Sequence, residues 1–269
     1  MNVVVVCSAS GSPGASVTAL GLALTWPRDV LLVDADRTPS QSILAGYLRG
    51  DVAQGRGLPG LLQAHRERRE LIDALEEQAV PLPEPPARGR PAEGEKPVTR
   101  GFVPGFVRLG TIDLFNRVWR DLALTLAAVH PDVIVDAGRL GVAGLQPDLA
   151  EVADRVLLTC RSSLPSLAGV RMYLGPLAEL VPDDRLGLLM IGPGRPYPAK
   201  EVAEQFGVPV AATIPWEPRG ADDLANGNPL GPRWRGQRLA SSYAEAGRAL
   251  VSQADARRAG EPVGAGVDA

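Results

Sequence analysis

Lysine is nearly missing from this 269-residue sequence, which contains only Lys96 and Lys200, so arginine supplies almost all of the positive charge. The formal net charge is −3, which excludes a global basic field that would draw the chain onto nucleic acid or anionic lipid. Cysteine is equally scarce, because Cys7 and Cys160 are the only two and both lie at the ends of apolar runs. We therefore expect buried free thiols and a cytoplasmic location, without a disulfide framework.

Long apolar runs are also lacking. No stretch reaches the roughly 18 consecutive apolar residues that a membrane-spanning helix needs. Residues 260–269 have no basic amphipathic face, so we expect no direct membrane insertion. Residues 1–6 pass straight into a strand pattern, without the charged leader of a secretory signal. His65 and His130 are isolated from other ligand-type residues, which argues against a metal site of their own.

Short β-branched runs alternate with longer helical patterns, which is typical of successive βα units in an α/β fold. We predict three layers, a mostly parallel sheet with helices on both faces. Its seven strands are predicted near residues 2–7, 29–34, 106–109, 132–136, 155–160, 186–191 and 209–213. Helices are predicted over residues 16–26, 39–48, 58–79, 112–129, 163–181, 199–206 and 237–257.

We expect these elements to form a single domain over residues 1–258. A proline-rich segment interrupts the alternation of strands and helices at residues 80–105, where seven prolines are interspersed with charged residues and regular structure is hard to sustain. We expect a flexible insertion there, which serves either as a passive loop or as a docking segment for a partner. Residues 259–269 are expected to be a disordered tail.

A glycine-rich turn follows the first predicted strand. Its sequence is Ser8-Ala9-Ser10-Gly11-Ser12-Pro13-Gly14-Ala15-Ser16, and an apolar helix follows. Strand, tight glycine loop and helix in this order point backbone N–H groups and a helix N-terminus at one spot, which suits an anion such as phosphate. The alternative is that the small residues serve only tight packing.

The turn resembles the deviant Walker A loop of the ParA/MinD family of P-loop ATPases, which reads roughly Gly-Lys-Gly-Gly-x-Gly-Lys-Ser/Thr after a first strand. The resemblance implies a nucleotide site formed by Gly11, Ser12, Gly14, Ala15, Ser16 and Val17. Both family lysines are replaced, at Ser10 and Ala15. In P-loop proteins the lysine at the Ala15 position reaches the β- and γ-phosphates. In the relatives the lysine at the Ser10 position crosses a dimer interface to the partner's nucleotide.

Further motifs of the family follow in order. Asp34-Ala35-Asp36 resembles the Asp-x-Asp of the first switch region, which implies that Asp36 is the residue positioning the attacking water. Val133 to Asp136 resembles the Walker B strand, so the implied Mg²⁺ ligands are Ser16 and Asp136. The resemblance spans residues 2 to about 250.

Two later positions concern the base of a nucleotide. Ile214-Pro215 resembles the strand end that borders the adenine in the family, so Pro215 joins the implied nucleotide site. Gly192-Pro193-Gly194 stands where relatives commonly carry an asparagine that reads the adenine. The sequence therefore keeps Pro215, which would border the adenine, and lacks the asparagine that would recognise it.

Two functions follow from this mixture of kept and lost residues. The first is a positioning or scaffold protein of the TadZ/CpaE kind, a pseudo-ATPase with weak or no hydrolysis that acts through a protein partner in secretion, pilus assembly or partition. The second is an active ATPase for DNA partition or cargo positioning, in which Arg37 or Arg139 replaces the missing lysine. ATP or ADP with Mg²⁺ is the implied ligand, and a nucleotide-free protein or an anion-binding regulator stays open.

Partners other than such a protein are less well marked. A homodimer is an option, weakened by the loss of the lysine at the Ser10 position. Four arginines around the last helix could form a basic stripe for non-specific DNA, or simply a solvated helix face. These are Arg233, Arg235, Arg238 and Arg248.

Overall fold

Eight strands form one sheet, and the strand that begins at Val3 lies near its centre. The computed structural model describes residues 2–11, 14–52, 55–86 and 97–260. The strands are β1 (Val3–Ser8), β2 (Val30–Asp34), β3 (Val80–Pro81), β4 (Arg100–Val103), β5 (Asp132–Arg139), β6 (Arg155–Arg161), β7 (Leu186–Ile191) and β8 (Val210–Ile214). Their order across the sheet is β3-β4-β2-β5-β1-β6-β7-β8. All neighbours are parallel except β3 and β4.

Ten α-helices connect the strands within the described residues. They are α1 (Ala15–Thr25), α2 (Leu58–Arg66), α3 (Leu71–Gln78), α4 (Gly110–Phe115), α5 (Trp119–Ala128), α6 (Pro147–Val152), α7 (Leu164–Leu180), α8 (Ala199–Phe206), α9 (Pro218–Ala225) and α10 (Arg238–Arg258). A π-helical turn (Ser42–Tyr47) and a 3₁₀ turn (Trp234–Gly236) complete the set. No helix in this part of the chain is long and apolar enough to cross a membrane.

The sheet is apolar on both faces, because alternate residues of each strand point to opposite sides. In β1, Val3, Val5 and Cys7 pack into a core with residues of α2 to α8. Val4 and Val6 pack into a second core with α1, α9 and α10. The three-layer α/β fold predicted from the sequence is thus confirmed, with eight strands in the sheet instead of seven.

The strand predicted at residues 106–109 is wrong, because β4 lies at Arg100–Val103. The sequence has two Phe-Val pairs, and the structure uses the first one, Phe102 and Val103, whose side chains are fully buried. Pro104 ends the strand because it cannot continue the ladder of hydrogen bonds. Val107 and Leu109, in the second stretch, are instead exposed.

The proline-rich segment is more regular at its two ends than we predicted. It contributes the edge strand β3 and all of β4, and the ladder between them pairs Pro81 with Gly101. An edge strand tolerates proline because one side of its backbone has no neighbour. Residues 87–96 of the insertion and 261–269 of the predicted tail lie outside the described residues.

Three predicted helices differ in detail. Residues 58–79 form α2 and α3, separated by a turn in which Arg68 has a φ of 58°. Residues 112–129 divide into α4 and α5 around Asn116–Val118. Residues 39–48 contain only the π-helical turn, preceded by Gln41 with a φ of 57°. A left-handed residue cannot sit inside an α-helix, so Arg68 and Gln41 mark two of these breaks.

Candidate functional site

The glycine-rich turn connects the centre of the sheet to α1, with Gly14 as the N-cap residue. Gly14 has a φ of 99°, a region that side chains disfavour, and an added Cβ would lie 3.0 Å from Cδ1 of Ile191. Its carbonyl accepts the N–H of Thr18 at 2.9 Å, which starts the helix. The first N–H groups of α1 have no partner within the helix and face the turn. Ser12 lies outside the described residues.

A cleft of about 720 Å³ opens above the turn at the carboxyl edge of the sheet. Seven of the residues implied by the sequence line it, and they are Gly11, Gly14, Ala15, Ser16, Val17, Asp36 and Pro215. Trp216 and residues of α9 also line the cleft. Its position matches the rule that ligands of open α/β sheets bind outside the carboxyl ends of the strands.

Three aspartates meet behind the turn, at the ends of β2 and β5. Burial raises the pKa of Asp136 to about 6, and the neighbouring Asp36 acts in the same direction, against hydrogen bonds from Ser16 and the Gly138 N–H. Burial, reinforced by Asp136, also raises the pKa of Asp34 well above its usual range. These carboxylates are buried at a cost, which is typical of a functional site rather than a solvated surface.

Asp36 is fixed in the wall of the cleft. Its carboxylate accepts hydrogen bonds from the Thr38 N–H at 2.8 Å and from the Thr38 hydroxyl at 2.9 Å. Burial raises the pKa of Asp36, while these hydrogen bonds lower it. A Cβ at Gly138, whose φ is 59°, would lie 2.0 Å from Cγ of Asp36. The Gly138 position must therefore be glycine for Asp36 to occupy its place.

The two residues implied as metal ligands lie near each other. The Ser16 side chain is close enough to the carboxylate of Asp136 to lower its pKa, although the two lie on different elements, α1 and β5. Within the described ranges, no group of three or more His, Cys, Asp or Glu side chains could hold a metal ion by itself. Mg²⁺ needs no such cage, because it binds through one or two protein oxygens, substrate phosphates and waters. A serine hydroxyl beside a buried carboxylate fits this donor set.

The proposed substitutes for the lysine are placed differently. Arg139, the last residue of β5, lines the cleft. Arg37 does not line it, and its guanidinium donates instead to Oε1 of Gln146 at 2.9 Å. Lys200 lies in α8, away from the cleft, and Lys96 is outside the described residues. Arg139 therefore lies where a ligand of the cleft would meet it, and Arg37 is hydrogen-bonded elsewhere.

Sequence reasoning missed Arg161, which ends β6 and also lines the cleft. Its guanidinium carbon lies 4.7 Å from the ring centroid of Trp216, a cation–π contact. One signal was present in the sequence, because Arg161 ends an apolar run that points to the carboxyl edge of the sheet. The distant Trp216 could not be paired with it without the fold.

Trp216 also lines the cleft, close to the loop that follows β7. Gly192 in that loop has a φ of 68°, and a Cβ there would lie 3.2 Å from Cβ of Trp216. Tyr243 of α10 lines the cleft too, and its side chain interacts with that of Thr18. Trp216 near Gly192 and Tyr243 near α1 thus give the cleft two aromatic side chains in its lining.

Two of the four arginines around the last helix form ion pairs. Arg235 pairs with Glu84 at 2.7 Å and Arg238 with Glu217 at 3.5 Å. These ion pairs offset half of the basic charge of the stripe considered for DNA. The two cysteines are buried and do not form a disulfide, and burial raises the pKa of both Cys7 and Cys160 to about 12. A nucleophilic role for Cys7 is thereby disfavoured.

A central strand, a glycine turn and a helix, with carboxylates at the adjacent strand ends, define the class of P-loop nucleotide-binding folds. No protein-family model matches the sequence, and no curated protein is similar enough to match it. Solved structures do match, over nearly the whole chain. The chain has the fold of the ParA/MinD ATPases, as the resemblance of its motifs implied.

Three solved structures illustrate this likeness. A ParA family ATPase from Chlorobium tepidum superposes with a TM-score of 0.68 at 16% identity, over 92% of this chain and 98% of that one. The MinC:MinD cell division complex of Aquifex aeolicus gives a TM-score of 0.65 at 18% identity, over 94% and 96%. MinD of Pyrococcus horikoshii, solved with Mg-ADP, gives 0.62 at 18% identity, over 91% and 94%. At these identities the likeness establishes the fold.

Proposed function

We propose that this protein is a ParA/MinD-like positioning or scaffold protein that binds ATP or ADP with Mg²⁺ and hydrolyses ATP weakly or not at all. One observation carries the proposal. The residues implied as Mg²⁺ ligands, Ser16 and Asp136, are kept and interact with each other, while the position of the phosphate-binding lysine is Ala15 at the start of α1. The residues implied in binding Mg²⁺ are thus kept, and the lysine that catalysis would need is lost.

The loss of hydrolysis follows from electrostatics. Phosphoryl transfer is catalysed mainly by positioning and by positive charge on the transferring group. Alanine at position 15 supplies no charge, and removing a single stabilising donor from such a site costs roughly a hundredfold or more in rate. Asp36, the residue implied in positioning the attacking water, is still held by Thr38. The lysine charge that would act together with it is missing.

Nucleotide is the ligand that best fits the cleft. A volume of about 720 Å³ is within the range of small-molecule sites, and the lining combines polar and apolar groups. Helix N–H groups, hydroxyls and arginines suit phosphate, and Ile191, Ile214 and Pro215 suit the apolar face of a base. The structurally similar MinD of Pyrococcus horikoshii was solved with Mg-ADP. When bound here, Mg²⁺ would neutralise phosphate charge beside Ser16 and Asp136.

A protein partner would complete the function. The structurally similar MinD of Aquifex aeolicus was solved in complex with MinC. In this chain, Leu164 and Met172 of α7 are 66% and 74% exposed, and they border one groove with Tyr197 and Phe206. Exposed apolar patches of this kind are typical of protein interaction sites. The machinery served would be one of secretion, pilus assembly or partition.

Calorimetric titration of the purified protein with Mg·ATP and Mg·ADP, alongside a phosphate-release assay, tests the proposal. We expect binding without measurable turnover, and loss of Mg²⁺-dependent binding in Asp136→Ala. Arg37→Ala is the matched control, because it removes a nearby charge that does not line the cleft. Turnover that disappears in Asp36→Ala would overturn the pseudo-ATPase assignment.

The same assay tests the second candidate, an active ATPase that uses a substitute arginine. The observation that favours it is Arg139 in the lining of the cleft. An active enzyme would lose turnover in both Asp36→Ala and Arg139→Ala. If nucleotides fail to bind but phosphate or sulfate raises the melting temperature, the site is that of an anion-binding regulator instead.

A further inference from the structure

The turn at the end of β1 has an arginine on each side of it. β5 and β6 are the two neighbours of β1 in the sheet, and Ser8 pairs with Arg139 on one side and with Thr159 on the other. β6 continues for two residues beyond Thr159 and ends at Arg161. Arg139 and Arg161 thus stand on the strands that flank the turn, and both line the cleft.

Contacts at its backbone and at its side chain hold Arg161 in place. Its backbone N–H donates to Oγ of Ser166 at 2.9 Å, which fixes the turn between β6 and α7. Its guanidinium lies over the ring of Trp216 at 4.7 Å from the centroid. α7 itself packs closely on the turn, because a Cβ at Gly169 would lie 3.6 Å from Cβ of Ala9 and 3.7 Å from Cβ of Ser10.

This arrangement places a preorganised positive charge where the turn itself has none. The turn carries serine and alanine at positions 10 and 15, so its side chains offer a phosphate chain no cation. Arginine is well suited to the task because its planar guanidinium binds phosphate oxygens in pairs and stacks on aromatic rings at the same time. A stacked guanidinium also loses less conformational freedom when an anion arrives.

We propose that Arg161, held against Trp216, binds the outer phosphates of the nucleotide and replaces the positive charge that the turn has lost. The inference rests on the proposed function, because it requires a nucleotide in the cleft. It adds a residue from β6, and it makes the affinity depend on the number of phosphates. Arg161 acts here in binding, and its role needs no turnover.

The chain provides a matched control in Arg195. The Arg195 guanidinium carbon also lies near the Trp216 ring, 5.9 Å from the centroid, but Arg195 does not line the cleft. Trp216 provides the signal, since it is half-buried at the cleft while Trp26, Trp119 and Trp234 are buried elsewhere. Quenching or enhancement of its fluorescence reports ligand arrival close to Arg161.

The experiment measures dissociation constants of AMP, ADP and ATP, with Mg²⁺, for full-length wild type, Arg161→Ala, Arg161→Lys and Arg195→Ala. We expect Arg161→Ala to weaken ATP about tenfold or more and AMP less than threefold, as for a lost charge-assisted hydrogen bond to the outer phosphates. Arg161→Lys should recover part of the loss, and Arg195→Ala should stay within about twofold of wild type for all three ligands.

Each other outcome overturns something specific. Equal losses for AMP and ATP, or equal effects of Arg161→Ala and Arg195→Ala, overturn the inference and leave the proposed function standing. Wild-type protein that binds none of the three nucleotides overturns the proposed function and the inference with it. If Arg161→Ala melts cooperatively at a lower temperature than wild type, Arg161→Gln, which keeps the length and polarity of the side chain, takes its place in the comparison.

Discussion

Replacing Asp136 with asparagine is expected to stabilise the ligand-free protein while it removes a ligand of Mg²⁺. Burial raises the pKa of Asp136 from its ordinary value of 3.8 to about 6, so the ionised carboxylate is unfavourable inside the fold. The shift corresponds to about 3 kcal/mol at 1.36 kcal/mol per pKa unit. Asparagine keeps an oxygen for the Gly138 N–H and carries no charge. We expect a gain of about 1–3 kcal/mol in the free energy of unfolding at pH 7.5.

The sign of the pH dependence follows from the direction of the shift. Between the unfolded pKa of 3.8 and the folded pKa of about 6, the folded state holds a proton that the unfolded chain has released. Stability of the wild type therefore falls as the pH rises through this window and levels off above it. The advantage of Asp136→Asn should be small near pH 4 and complete above pH 7.

Urea denaturation of both proteins at pH 4.5 and pH 7.5, without Mg²⁺, measures the effect. Asp113→Asn, a change of charge on the exposed face of α4, is the control and should leave stability within about 0.5 kcal/mol of wild type. Mg·ADP should then stabilise the wild type and not Asp136→Asn. A variant that is less stable than wild type at pH 7.5, or equally more stable at both pH values, would refute the reasoning.

Three further predictions concern the fold around the site. Gly138→Ala should lower the melting temperature more than Gly141→Ala, because both have positive φ, at 59° and 56°, but only Gly138 has a side chain in its way; equal losses would contradict this. Cys7 and Cys160 should react with a thiol reagent only in denaturant, since burial raises both pKa values to about 12; rapid labelling of the native protein would show otherwise. Asp132→Ala should cost about 3–5 kcal/mol by chemical denaturation, because a fully buried carboxylate there binds an arginine, an indole N–H and a backbone N–H; a loss under 1 kcal/mol would be inconsistent with that network.

The sequence was most informative where function is local in the chain. The turn after β1, the aspartate that follows the β5 apolar run and the Ile214-Pro215 pair were identified from short local motifs and their resemblance to those of the family. The structure places all of them at one edge of the sheet, since parallel strands bring their carboxyl ends together. Local motifs therefore sufficed to predict the fold class.

Other features depended on contacts between distant residues. Nothing near Phe106 distinguishes it from Phe102, and the choice of strand is made by the edge of β2, which pairs Val30 with Arg100. Arg161 and Trp216 are 55 positions apart, so their contact has no sequence pattern. Arg37, in contrast, lies just after β2, where the sequence suggested a phosphate contact, but its guanidinium donates to Gln146 instead.

The central position of β1 has a consequence for how the protein is made. Val3 pairs with Val133 and Val4 with Arg155, so both neighbours of this strand are translated well over 100 residues after it. In a newly synthesised chain, the four consecutive valines of β1 stay without their partner strands until Arg161 has emerged from the ribosome. Pairings of such long range form slowly and leave apolar strands exposed to aggregation in the meantime. The ligand cleft is accordingly a late product of synthesis, although its defining turn is among the first residues to appear.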